Sequence, residues 1–136
     1  MKGLKIMLFS LLLLSCRENI DETTITGTWK LTEQLVDPGD GSGKFTPVSS
    51  NKTVTFVTNG TYTSNGSFCS INTDSNQNTN GNYTYTNSEK SMTPLNCNTT
   101  LFSVEKLSIE IQNGNLIISN FGCIEPCAQK FVKIKN

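Results

Sequence analysis

Along most of this chain, apolar and polar residues alternate with a period of two. Trp29, Leu31 and Leu35 interleave with Thr28, Lys30, Thr32 and Gln34, as in a strand with one face turned to a core. Thr53 to Thr58 reads TVTFVT, and Asn59-Gly60 separates it from Thr61-Tyr62-Thr63-Ser64. An Asn-Gly pair between two β-rich runs predicts a hairpin, because both residues tolerate positive φ. Tyr83 and Tyr85 mark the next strand, and Met92 and Leu95 another. Pro94 implies that this last strand lies at an edge or bulge, since proline has no amide hydrogen to give the ladder. From Leu101 to Gln112, Leu107, Ile109 and Ile111 share one face; Asn113-Gly114 then turns the chain into Leu116-Ile117-Ile118. Phe131, Val132 and Ile134 form a closing strand. Ser70 to Asn80 has no period and reads as a long exposed loop, and no stretch carries a helical period. About eight short strands joined mostly by hairpins predict an all-β antiparallel domain, either a sandwich or an up-and-down barrel.

The N-terminus breaks this pattern. Lys2 and Lys5 precede a run from Ile6 to Leu14 that is apolar except for Ser10. The run falls short of the roughly 20 residues needed to span a bilayer and matches the hydrophobic region of a secretory signal. It ends at Leu13-Leu14-Ser15-Cys16, which resembles the lipobox of bacterial lipoproteins. That resemblance implies removal of residues 1–15, acylation of Cys16 and an outer-membrane location. Acyl chains contribute about 0.8 kcal/mol per buried CH₂, so several of them make a durable anchor. Residues 16–26 then read as a lipidated, flexible polar tether, and residues 27–136 as the folded domain.

Four further cysteines, Cys69, Cys97, Cys123 and Cys127, would lie in an oxidising compartment, where an even number favours disulfides. Cys123 and Cys127 flank Pro126, and each is expected to reach a different upstream partner. Local closure of Cys123 on Cys127, with Cys69 on Cys97, stays open. The spacing supports neither a zinc site nor a CxxC redox pair.

Composition narrows the function. Lysine plus arginine and aspartate plus glutamate balance at 11 each, and there is no histidine. No field recruits nucleic acid, and imidazole-dependent triads are excluded. Glu105 and Glu110, five apart, would face opposite sides of a strand and do not form a catalytic pair. The expectation is a non-enzymatic protein with no cofactor or metal, acting as a monomer.

Gly27-Thr28-Trp29 at the head of the first strand resembles the Gly-x-Trp signature of lipocalins. The layout from lipobox through GTWKL to the final FVKIK is similar to small lipocalin-like bacterial lipoproteins. The resemblance covers about residues 27 to 135 and implies an eight-stranded barrel whose floor is formed by Gly27 and Trp29. The arginine that covers the tryptophan in lipocalins has no counterpart, so Lys130, Lys133 or Lys135 would have to serve. Such a barrel is either filled by its own side chains or holds one small ligand. If it is hollow, Phe56, Tyr62, Tyr83, Tyr85 and Ile109 would line the pocket, with tyrosine hydroxyls at the rim, and the ligand would be small and apolar or amphipathic. If it is filled, its loops would contact another envelope protein or a glycan.

DPGDGSG, Asp37 to Gly43, follows the first strand. Its two acids stand three apart with no later acid until Asp74, unlike a calcium loop, and no phosphate-loop context surrounds it. Proline, glycine and aspartate each favour turns for their own reasons. The stretch reads as a sharply bent loop overhanging the barrel mouth as part of a lid.

Overall fold

The computed structural model describes residues 19–95, 97 and 104–136. Nine strands follow in chain order: β1 (Gly27–Val36), β2 (Thr46–Pro47), β3 (Thr53–Phe56), β4 (Thr61–Ser64), β5 (Thr79–Tyr85), β6 (Lys90–Pro94), β7 (Leu107–Gln112), β8 (Asn115–Ser119) and β9 (Cys127–Lys135). No helix occurs among the described residues. From β3 onward each strand pairs with the next, β3 also pairs with β1, and β9 returns to β1, so eight antiparallel strands close into a barrel. The β1–β9 ladder runs from Thr28↔Lys135 to Val36↔Cys127; a sandwich would leave two edges there. β2 stands outside the ring and pairs only with Glu33 and Gln34 of β1.

The two Asn-Gly hairpins close differently. Asn113 (φ 51) and Gly114 (φ 76) both take positive φ, the two-residue turn whose twist matches the flanking strands. At Asn59-Gly60 only the glycine does. Gly60 N donates to Val57 O at 3.1 Å and Val57 N to Thr61 O at 2.9 Å, a three-residue loop ending in a left-handed glycine. Pro94 lies in a ring strand, yet the β6–β7 pairing involves only Ser91 and Met92. At Pro94 the strand is paired on one side, to Gly81, so the missing amide leaves no gap in a ladder. The strand expected from Leu101 begins at Leu107; residues 101–103 lie outside those described.

Inward residues form one apolar cluster that includes Trp29, Leu31, Val54, Phe56, Tyr62, Ile109, Leu116, Ile118 and Phe131, each at 2 % exposure or less. Each such side chain contributes about 1.5–3 kcal/mol by leaving water. Tyr83, Tyr85 and Ile111 are partly buried against its edge.

The barrel has two distinct ends. The β3–β4, β5–β6 and β7–β8 turns lie at one end, together with Gly27, which pairs with Phe56, and the last residues of β9. At this floor Trp29 is fully buried and its Nε1 donates to Ile25 O at 2.8 Å. Gly27 has φ 115, and a Cβ there would lie 2.3 Å from Lys135 O. Lys133 is the cation over the tryptophan, with Nζ 5.2 Å from a ring centroid. It also donates to Asp21 O and, at 2.8 and 3.0 Å, to Thr24 O and Oγ1. Residues 19–26, expected to be a free tether, are therefore held on the floor: Ile25 is 7 % exposed and Asp21 N donates to Asn136 Oδ1 at 2.8 Å. Cys16 lies outside the described residues.

Candidate functional site

The opposite end, the mouth, is where polar groups enter the interior. Period-two alternation sends Lys52 inward with Val54 and Phe56, and Gln129 inward with Phe131 and Lys133. Lys52 and Gln129 are both fully buried. Lys52 Nζ donates to Ser67 O (2.7 Å), Asn72 O (3.1 Å) and Gln129 Oε1 (3.1 Å). Gln129 Nε2 in turn donates to Asn72 O (2.6 Å) and Gln34 Oε1 (3.0 Å). Burial pulls the Lys52 ammonium down to about 7, opposed by the charge of Asp74, because a cation removed from water loses its hydration.

Ser67 and Asn72 belong to the β4–β5 connection, and between them this segment inserts Phe68 into the barrel. The Phe68 ring is fully buried. It meets Tyr62 edge-on at 5.9 Å and packs on Phe121 at 6.3 Å and Phe131 at 6.1 Å. Lys52 Nζ lies 4.3 Å above its centroid. Gly66 makes room for this arrangement, since a Cβ there would stand 2.4 Å from Asp74 O and 2.7 Å from Lys52 Cγ. The adjacent Cys69 is bonded to Cys97, which ties the plug to the β6–β7 connection.

The second disulfide corrects an expectation. Cys123 pairs with Cys127, with Cα atoms 6.2 Å apart, rather than each reaching a separate upstream partner. Cys127 opens β9 at the end of a short β8–β9 connection, so Cys123 is its near neighbour across that turn.

Asp37 explains DPGDGSG. Its carboxylate accepts from Gly39 N (2.7 Å), Gly41 N (3.1 Å) and Gly43 N (2.7 Å), which holds its pKa below the usual carboxylate range. Gly39 and Gly41 take φ of 100 and 75, and a Cβ on Gly43 would lie 2.6 Å from Asp37 Oδ2. The loop wraps around its own acid. Asp37 N donates to Pro126 O at 3.0 Å, joining it to the Cys123–Cys127 loop, and the chain then doubles back along the outside of β1 through β2.

The predicted pocket residues do not meet at a rim. Phe56 packs on Tyr62 (5.9 Å) and Tyr83 (4.9 Å), and Ile109 is fully buried in the cluster. The Tyr83 hydroxyl donates to Val57 O at 2.8 Å and the Tyr85 hydroxyl accepts from Ile111 N at 3.2 Å. Both lie toward the floor, because β5 runs downward from the mouth. Tyr62 is different. Its hydroxyl is buried with no hydrogen-bond partner among the described residues, and burial pushes its pKa well above the usual tyrosine value. On the outer surface, a groove of about 400 Å³ is lined by uncharged residues only, among them Thr53, Thr55, Thr63, Asn65 and Asn80.

Sequence reasoning missed Lys52, Gln129, Gln34 and Phe68. The first two carry a signal, since each is polar at an inward position of a period-two run. Phe68 carries none, standing alone in a polar loop.

Fold and site together define a closed eight-stranded antiparallel barrel with a sealed floor and a plugged mouth. The chain matches no known family, characterised protein or solved structure at a significant level.

Proposed function

We propose that the chain is a bacterial envelope lipoprotein whose lipocalin-like barrel binds or carries a small apolar or amphipathic molecule. In this reading Cys16 bears the acyl chains, the outer membrane is the location, and the protein is a non-catalytic monomer. One observation carries the binding role. The mouth is closed by a loop held through polar bonds to Lys52 and Gln129 and through the Cys69–Cys97 link. None of these is part of a strand ladder, so displacement of that loop opens an aromatic interior with the barrel intact. Sites for small molecules are mostly apolar with a few placed polar groups, and this interior fits that description. Native mass spectrometry of protein purified from membranes tests it: a mass beginning at acylated Cys16 with a bound small molecule is expected, and an adduct-free spectrum speaks against a carrier. Equal fatty-acid labelling of wild type and Cys16→Ala would remove the anchor.

A second reading, a filled barrel that contacts an envelope protein or glycan, is favoured by the mutual packing of Phe56, Tyr62 and Tyr83 and by the uncharged outer groove. Glycan-array binding lost on Thr55→Val and Asn80→Ala, in adduct-free protein, would favour it.

A further inference from the structure

We propose that the Phe68 plug occupies a ligand's place, and that Lys52 and Gln129 form the head-group site for a small carboxylate-bearing amphiphile. This deepens the binding role proposed above and rests on it.

The hydrogen-bond partners of Lys52 are neutral oxygens, and the ion pairs among the described residues are Lys106–Glu89 and Lys130–Glu33. Asp74, whose charge acts on Lys52 without a hydrogen bond, belongs to the same β4–β5 connection as the plug. A buried cation without a hydrogen-bonded anion is an unfavourable arrangement that a bound anion relieves. Two of the three Lys52 partners, Ser67 O and Asn72 O, sit on the plug, as does one of the two Gln129 Nε2 partners. Lifting the plug therefore frees two ammonium hydrogens and one amide hydrogen together. The remaining bonds, Lys52 to Gln129 and Gln129 to Gln34, keep the donors in place. They stand on the wall: Gln34 and Gln129 are register partners across β1 and β9, and Lys52 O accepts from Leu31 N of β1 at 3.0 Å. A site carried on paired strands is rigid. Three converging donor hydrogens, two of them on the ammonium, suit the two oxygens of a carboxylate.

The body of the ligand follows from what Phe68 touches. Its ring occupies a space walled by Tyr62, Phe121 and Phe131, so a phenyl group or short alkyl chain would fill it. The Tyr62 hydroxyl, which has no hydrogen-bond partner among the described residues, gives that space a second polar point. A neutral amphiphile would leave the ammonium without a hydrogen-bonded anion.

The test uses 3-phenylpropionate and 3-phenylpropan-1-ol, which share the Phe68 ring and differ in head charge. Phe68→Ala, with folding checked by circular dichroism and Trp29 emission, should bind the acid at least about tenfold tighter than the alcohol in calorimetric titration. Adding Lys52→Met should bring the two to parity. If Phe68→Ala fails to fold, Phe68→Leu takes its place. Equal affinity for acid and alcohol overturns the head-group site while leaving an apolar carrier standing. A preference for acid that survives Lys52→Met also overturns it. A folded variant that binds neither compound, while native protein carries an adduct, rejects the plug as the ligand's place and not the carrier role. No binding and no adduct rejects both.

Discussion

Replacing Lys133 by methionine should release the N-terminal segment from the barrel floor while leaving the barrel closed. Methionine keeps an apolar stem against Trp29 but loses every bond made by Nζ. Those bonds go to Asp21 O, Thr24 O and Thr24 Oγ1, and hydrogen bonds from a charged donor contribute about 1.5–3 kcal/mol. The cation over the Trp29 ring at 5.2 Å adds about 0.5–1 kcal/mol. Against this, burial already holds the Lys133 ammonium below the usual lysine range, so part of the gain offsets lost hydration. The acceptors also share one short segment, so their contributions do not add. A net loss of about 2–3 kcal/mol follows, or roughly 10 °C in melting temperature at about 4 °C per kcal/mol for a domain of this size. Thermal unfolding followed by Trp29 emission gives the global loss, and amide exchange gives the local one. Asp21, whose N donates to Asn136 Oδ1, and Thr23, whose N donates to Asp21 Oδ1, should lose protection. The β1–β9 ladder should keep it. An unchanged melt with residues 19–25 still protected would refute the clamp.

Other substitutions probe the rest of the fold. Lys52 is pulled down to about 7 in the folded state and titrates near 10.4 when unfolded, so the unfolded chain binds more protons between those values. Stability should therefore rise with pH across that window, by up to about 1.4 kcal/mol per pH unit, and urea midpoints of Lys52→Met should lack that rise; parallel curves would contradict the burial effect. Opening the Cys69–Cys97 link, which spans a sequence separation of 28, should cost about 3.5 kcal/mol by chain entropy, read as a lower denaturant midpoint for Cys69→Ser/Cys97→Ser. The Cys123–Cys127 link, of separation 4, should cost nearer 2 kcal/mol, and the reverse ranking would count against the entropic account. Asp37 has a lowered pKa, so its contribution is present above the ordinary aspartate range and lost as pH falls through its folded value. Asp37→Asn should destabilise the protein at pH 7 and matter less near pH 2, by guanidinium unfolding at both.

The strands were legible in the sequence because they obey one simple rule, while the choice of a barrel over a sandwich rested on the resemblance at Gly27-Thr28-Trp29. Trp29-x-Leu31, Val54-x-Phe56 and Ile109-x-Ile111 alternate cleanly, and Asn113-Gly114 announces its turn. The mouth was less legible. Lys52 and Gln129 are polar types at inward positions of a period-two run and are fully buried, so only the period, not the residue type, points to them. Phe68 enters the core from an irregular loop, where no periodicity exists to read. The disulfide pairing depended on how close β8 and β9 bring Cys123 to Cys127, a three-dimensional fact. The tether was misjudged because its anchor, Lys133, lies more than a hundred residues away.

The contact between Asn136 and the start of the described chain has a topological consequence. Asn136 Nδ2 donates to Asn19 O at 2.7 Å, and Asp21 N returns the contact to Asn136 Oδ1 at 2.8 Å. Residues 19 and 136 already touch, so in a chain begun at residue 19 a linker of a few glycines would join them with little strain. A circular permutant opened in the exposed Thr86–Glu89 turn should then keep every ladder of the ring. The converse is practical: a tag fused after Asn136 would start beside Asn19 and Asp21 and crowd that contact, whereas one grafted into the β5–β6 turn would leave it untouched.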